Sequence, residues 1–288
     1  MTQLISKLQY KNFEKGEFCE EKSRYLEETM QLIRDFPWDQ QRSLTDIQAT
    51  GPSVTVKNQT GEYLKVGLFF NNKFCLYLLN QYHQVFEYHA PNLQSACDIV
   101  SKFYTGANLE TLFEKHLVSI GESSHFVTQY FRYYFSTRTF LLQWGLILVF
   151  IIYVLVISKL ALQFSAYAII LLVPIIYLAF KFCQNIVNHY LKSKNVCLQL
   201  SRGKNEFKYG IAYNMVTYLK SDIVNIEVHS MGGSNSANKT TRTTSVYHII
   251  FKNNIVIKLS AMVIDIYSLI NKFPGVEITY KKEYFPLL

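Results

Sequence analysis

The motifs that usually announce chemistry are missing from this 288-residue chain. There is no HExxH. None of the histidines (His83, His89, His116, His125, His189, His229 and His248) stands with a CxxC pair, so zinc-ligand spacing is absent from the linear sequence. There is no GxxxxGK(S/T) either. Gly203-Lys204 lacks both the preceding glycine and the following hydroxyl residue, which excludes a P-loop. No GxSxG elbow occurs. The glutamates at Glu20, Glu21, Glu27 and Glu28 fall on a solvated helix face and form no catalytic pair. The chain is therefore expected to be no enzyme, with no cofactor, metal or catalytic residue. Cysteine is sparse: Cys19, Cys75, Cys97, Cys183 and Cys197 are odd in number and dispersed, which fits reduced thiols better than a disulfide framework. The N-terminal stretch MTQLISKLQYKNFEKGEF has no apolar run and no small-residue cleavage site, so the N-terminal domain is expected to start in the cytoplasm.

What the chain does have is two long apolar runs in its middle. Phe140–Ile157 reads FLLQWGLILVFIIYVLVI without a charge, and Ala166–Phe180 reads AYAIILLVPIIYLAF, its apolar character continuing past Lys181 to Val187. About 20 residues of helix cross a bilayer's hydrocarbon core. A core helix of a soluble domain keeps a polar face, whereas Leu146–Ile157 is apolar all round. The spacing predicts a hairpin of spans at 140–157 and 166–187, with Pro174 kinking the second. Neither span holds Asp or Glu, so no proton relay or ion path is expected. Arg132 and Arg138 precede the first span. Lys181, Lys192, Lys194, Arg202 and Lys204 follow the second, while the tip carries only Lys159. The positive-inside rule then puts both termini inside. The expected location is the bacterial inner membrane, multi-pass, and the net charge of +8 needs no nucleic acid to explain it. Tyr130, Phe131, Tyr133, Tyr134 and Phe135 suit the headgroup layer, as an interfacial helix or as an anchor leading into the span.

The flanks read as two domains, 1–136 and 190–288, around a hairpin at 137–189. In the first, Glu20–Phe36 has Tyr25, Leu26, Met30 and Ile33 on one helical face, ended by Pro37. Strands are expected at 53–58, 63–70, 73–80 and 85–89, with Asn71-Asn72 as a turn. Asn92 caps a helix over 93–104, and a shorter helix is expected over 109–118. Leu64, Val66, Leu68, Phe74, Leu76 and Leu78 should face the helices. Lys65, Cys75 and Tyr77 lie on the opposite stripe, expected to be partly exposed and a candidate surface for a protein partner. FPWDQQ, PSVTVKNQTGEYLKVGLFFNNKFCLYLL and NLQSACDIVSKFYTG together resemble immunity-type modules of bacterial toxin systems over residues 36–106. That resemblance implies a module that binds one protein partner, a toxin, and does no chemistry.

In the second flank, strands are expected at 196–201, 206–209, 215–220, 223–230, 246–252 and 255–260, then a helix over 261–273 and a strand over 276–280. YLKSDIVNIEVHS followed by YHIIFKNNIVIKLSAM, after two spans, resembles bacterial PH-like domains of the YcxB type. Asp222, Ile223, Ile226, Phe251 and Ile257 stand at the matching places, whereas the family often carries an aromatic near Ser221 or Asp222. The fold expected is thus a membrane protein. A two-helix hairpin separates a cytoplasmic α+β domain, an antiparallel meander with helices, from a mainly-β PH-like domain with a late helix. In the low-complexity segment MGGSNSANKTTRTTS, Lys239 and Arg242 are candidate lipid contacts, as are Arg132 and Arg138. The function expected is a membrane-anchored binding protein that shows two domains to a protein partner, toxin immunity being the specific version. The alternative is a lipid-binding or envelope role carried by the PH-like domain.

Overall fold

The computed structural model describes residues 2–42, 51–116, 121–164, 168–231 and 244–288, without the side chains of 160–172. It divides into two compact units. The first is Met1–Tyr130 with Ser201–Gly203; the second is Phe131–Leu200 with Lys204–Leu288.

The first unit is an antiparallel sheet with helices on one face. Its strands are β1 (Leu4–Gln9), β2 (Cys19–Arg24), β3 (Ser53–Lys57), β4 (Tyr63–Leu68), β5 (Phe74–Leu79), β6 (Val85–Ala90) and β7 (Glu114–Lys115), in the order β2-β1-β3-β4-β5-β6-β7. The turn between β4 and β5 uses Asn71 and Asn72 at φ 53° and 59°, a conformation asparagine tolerates better than most residues. Helices α1 (Leu26–Asp35), α2 (Trp38–Gln41) and α3 (Leu93–Tyr104) supply the cover. The Asn92 side chain accepts from the Ser95 N–H at 2.8 Å and so starts α3. Alternation places Val54, Val56, Leu64, Val66, Leu76 and Phe86 on one face, against Ile33 of α1 and Val100 and Phe103 of α3. Phe36 and Trp38 wedge against Phe74, and the Trp38 indole donates to the Ile33 carbonyl at 2.8 Å.

Two expectations for this unit are corrected. Residues 20–24, expected as the first turns of a helix, belong to the edge strand β2. The charged run CEEKSR has no apolar stripe to bury, and hydrogen bonding to β1 decides its form. The helix expected over 109–118 is absent from the described residues 109–116. There Glu114–Lys115 pairs with Phe86–Glu87 and closes the free edge of β6, while Leu109 and Phe113 enter the core.

The second unit holds two four-stranded sheets. One is ordered β11-β10-β9-β8, from β8 (Arg132–Tyr134), β9 (Val196–Gln199), β10 (Glu206–Ile211) and β11 (Asn214–Leu219). The other is ordered β14-β13-β12-β15, from β12 (Ile223–Ser230), β13 (Val246–Phe251), β14 (Val256–Ser260) and β15 (Glu277–Lys282), with β12 and β15 parallel. Phe207 joins their cores, its ring 6.3 Å from Phe251 and 5.7 Å from Phe273. The late helix is shorter than expected: α6 covers Ile266–Lys272. The Asp265 carboxylate accepts from the N–H groups of Tyr267 and Ser268 and fixes where the helix begins.

Helices α4 (Thr137–Phe164) and α5 (Ala168–Ser193) leave this unit between β8 and β9 and pack along each other. With only three residues between them, two packed helices must run antiparallel. The segment before α4 is corrected as well. Residues 132–134 form no interfacial helix but strand β8, bonded to β9, with Tyr133 turned toward the core.

Candidate functional site

The surface of α4 is the least protein-like part of the chain. Of its most apolar stretch only 6% is buried, and Leu141, Leu148, Val149 and Leu155 each stay about 60% or more exposed. Among the described residues it is the one helix long and apolar enough to cross a membrane by length and composition. Its 28 residues extend to about 42 Å, against about 30 Å of bilayer hydrocarbon.

The far end of α5 is different. Asn185 and His189 are buried, and both contact the chain's C-terminal segment. The Asn185 amide donates to the Pro286 carbonyl at 2.8 Å. His189 Nε2 lies 3.1 Å from that oxygen, and its Nδ1 lies 2.7 Å from Ser260 Oγ. The Leu288 N–H donates to Asn188 Oδ1 at 2.9 Å, and Phe285 meets Phe182 edge-on. The last turns of α5 are therefore clamped by protein, although their apolar residues read in the sequence as a continuing span.

Register shows which end of the sheet faces the helices. Tyr134 pairs with Cys197 just before α4 begins at Thr137, and Val196 starts β9 just after α5 ends at Ser193. Ile211 pairs with Val196 and Asn214, so the β10–β11 turn, Ala212-Tyr213, belongs to that same end. Tyr213 is fully exposed there, beside a half-exposed Ile211. Arg138 is exposed in the first turn of α4, and Lys192 and Lys194 are exposed at the end of α5. Arg132, on β8, is also solvent-facing. Lys239 and Arg242 lie outside the described residues.

The stripe expected to be an exposed partner surface is not exposed. Lys65, Cys75 and Tyr77 are buried, because Phe126 and Phe18 close over the helix-free face of the sheet. This was not legible in the sequence: Phe126 lies far along the chain, in a segment read as leading to the membrane. One row across that face runs Lys7, Thr55, Lys65, Tyr77, Glu87. Lys65 donates to Gln9 Oε1 at 2.7 Å and Lys7 to Thr128 Oγ1 at 2.9 Å. Burial lowers the Lys65 ammonium from 10.5 to about 7, with neighbouring Lys7 adding to the effect. Burial likewise lowers Lys7 to about 8.

At the other end of the face, Cys75 sits opposite His89, and Glu87 two residues from His89. One ligand-capable atom each from Cys75, Glu87 and His89 lies within 4.8 Å of the other two. The Glu87 carboxylate contacts His89 Nε2 with one oxygen and His116 Nε2 with the other, the latter at 2.6 Å. Burial pushes the Glu87 carboxyl up, but hydrogen bonds from His89, Cys75 and His116 outweigh it and hold the group below its ordinary range. Burial pushes the Cys75 thiol up. A cleft of about 580 Å³ opens beside Glu87, His89, Glu114 and His116. A second group, Glu227, His229 and His248, lies on the β12–β13 face of the second unit. There Lys281 Nζ already takes Glu227 at 2.7 Å and Glu283 takes His229 Nδ1 at 2.7 Å.

A family model described as a PH domain matches residues 130–272, a range that runs from the residue before the second unit to the end of α6 and includes both long helices. No curated protein and no solved structure matches the chain.

Proposed function

We propose that this chain is a non-enzymatic, membrane-anchored binding protein. Helices α4 and α5 cross the bilayer and return, the PH-like unit sits at the membrane surface, and the α+β unit is held at the same leaflet for a protein partner. The observation that carries this reading is the exposed apolar circumference of α4. Left in water, so continuous an apolar surface would drive aggregation, whereas lipid covers it without protein contacts. The clamp on the end of α5 ties the helix pair to the PH-like unit, so anchor and domain would move together. Arg132, Arg138, Lys192 and Lys194 then meet anionic headgroups, which supports a cytoplasmic placement of both termini. Toxin immunity is the narrower version of this proposal and rests on the pattern of residues 36–106.

The test has two stages. Alkaline extraction should leave the chain in the membrane pellet, and reporters at residues 1, 162 and 288 should read inside, outside, inside. Recovery in the soluble fraction without detergent would sink the proposal. Crosslinking in intact membranes, followed by capture of the full chain, then asks for a protein partner.

A second reading is supported by the β10–β11 turn. With Ile211 and Tyr213 at the helix end of the sheet, the PH-like unit has an apolar and aromatic tip suited to the headgroup layer. This lipid contact complements anchoring and requires no headgroup specificity.

A further inference from the structure

We propose that Cys75, Glu87 and His89, whose ligand-capable atoms lie within 4.8 Å of one another, form a zinc site on the helix-free face of the first unit's sheet, with His116, 2.6 Å from the second oxygen of Glu87, turning in as the fourth ligand. Strand pairing brings them together where linear spacing does not. Cys75 and His89 are cross-strand partners, Glu87 pairs with both Tyr77 and Glu114, and the His116 N–H donates to the Val85 carbonyl at 3.0 Å. Alternation puts Val85, Glu87 and His89 on one face, and His116, opposite Val85, joins them there.

The donor set fits zinc. One thiolate, two imidazoles and one carboxylate are the ligand types zinc takes, in a four-coordinate arrangement. Thiolate and carboxylate together balance the dication, so a half-buried site carries no net charge. Binding breaks the Cys75 S–H bond, forms a Zn–S bond and releases one proton to solvent, with no change of oxidation state. The rings are positioned by other contacts: His89 stacks on Phe69 at 4.3 Å, and His116 lies 6.3 Å from Tyr77. Glu87 alone reaches both imidazoles, so the carboxylate sits where a shared cation would lie. The adjoining cleft provides an entry path. The group in the second unit fits less well, because the Lys281 ammonium competes with a cation for Glu227.

Such a site would lock the two-residue strand β7 to the sheet. It would do so without an open position for catalysis.

The test uses the full chain in detergent with Co²⁺ and Zn²⁺ alone as probes. Co²⁺ should produce a thiolate-to-cobalt charge-transfer band, lost on adding one equivalent of Zn²⁺. Cys75→Ser should remove the band. His89→Ala and His116→Ala should each weaken Zn²⁺ binding at least about tenfold, and His229→Ala should leave the band unchanged. A wild-type chain that binds Co²⁺ without a thiolate band overturns the site, as does a band that persists in Cys75→Ser. Should Cys75→Ser fail to fold, the half-buried His116 decides: unchanged Zn²⁺ affinity in His116→Ala also overturns it.

Discussion

Strand β4 and helix α4 invert each other. All six residues of β4 are buried, Lys65 among them, whereas α4 leaves a leucine-rich surface almost wholly uncovered. In the first unit the chain covers both faces of its sheet, one with α1 and α3 and the other with Phe18 and Phe126, and accepts a buried ammonium as the consequence. In the second, only α5 among the described residues packs along α4, and most of the α4 surface stays uncovered. The difference teaches that burial is set by which phase lies alongside. A sheet with two protein faces hides even a charge, and α4, with one packed helix beside it, shows even leucine, the surface the proposed bilayer would cover.

The comparison breaks most decisively at the helix. Leu148→Lys with Ile152→Lys should prevent stable insertion, each lysine costing about 2.5–3.5 kcal/mol at the helix centre, and shift the chain out of the alkaline-washed membrane pellet. An unchanged pellet fraction would mean that α4 is covered by protein instead. Next is a matched pair of truncations. Leu76→Ala, in the fully buried core, should destabilise the first unit by about 2–5 kcal/mol in a denaturant melt, while Leu148→Ala should leave that melt unmoved.

The buried lysines predict a pH effect on the first unit. Lys65 titrates near 7 when folded and at its ordinary 10.5 when unfolded. Between those values the unfolded chain binds the extra proton, so stability rises with pH and the penalty is fully present below about pH 7. Lys7 acts in the same direction from about 8 upward. Thermal melts should therefore move to higher temperature from pH 6 to pH 9, by an effect on the order of a few kcal/mol. Lys65→Met should raise the melt at pH 6 and flatten the slope. The smallest effect belongs to the β10–β11 turn. Tyr213→Trp should give blue-shifted emission in vesicles, quenched by lipids brominated near the headgroup. Emission identical to that of a water-exposed indole would remove the turn from the interface.

Much of the architecture was legible because it rests on local signals. The meander from Ser53 to Ala90, Asn92 as a cap, the Asn71-Asn72 turn and the strands from Val196 to Ser260 follow from alternation, capping and turn chemistry. The PH-like assignment of the C-terminal half likewise agrees with the family match over residues 130–272. Misreadings fell where polar runs lacked periodicity, as in CEEKSR, or where a short stretch was claimed by a distant edge. Arg132–Tyr134 was taken by β9 and Glu114–Lys115 by β6. The candidate metal ligands were illegible for a related reason: in linear order they stand at 75, 87, 89 and 116; strand pairing gathers the first three and brings His116 onto Glu87.

The sequence by itself determined where apolar surface accumulates and where the alternating strands and the capped helix α3 lie, since these depend on residues within a few positions of one another. Only the tertiary structure decided which faces are covered: that Phe126 would seal Lys65, Cys75 and Tyr77 away, and that residues 285–288 would clamp the end of α5. Those outcomes hang on contacts between residues tens of positions apart, and periodicity carries no record of what arrives from the rest of the chain.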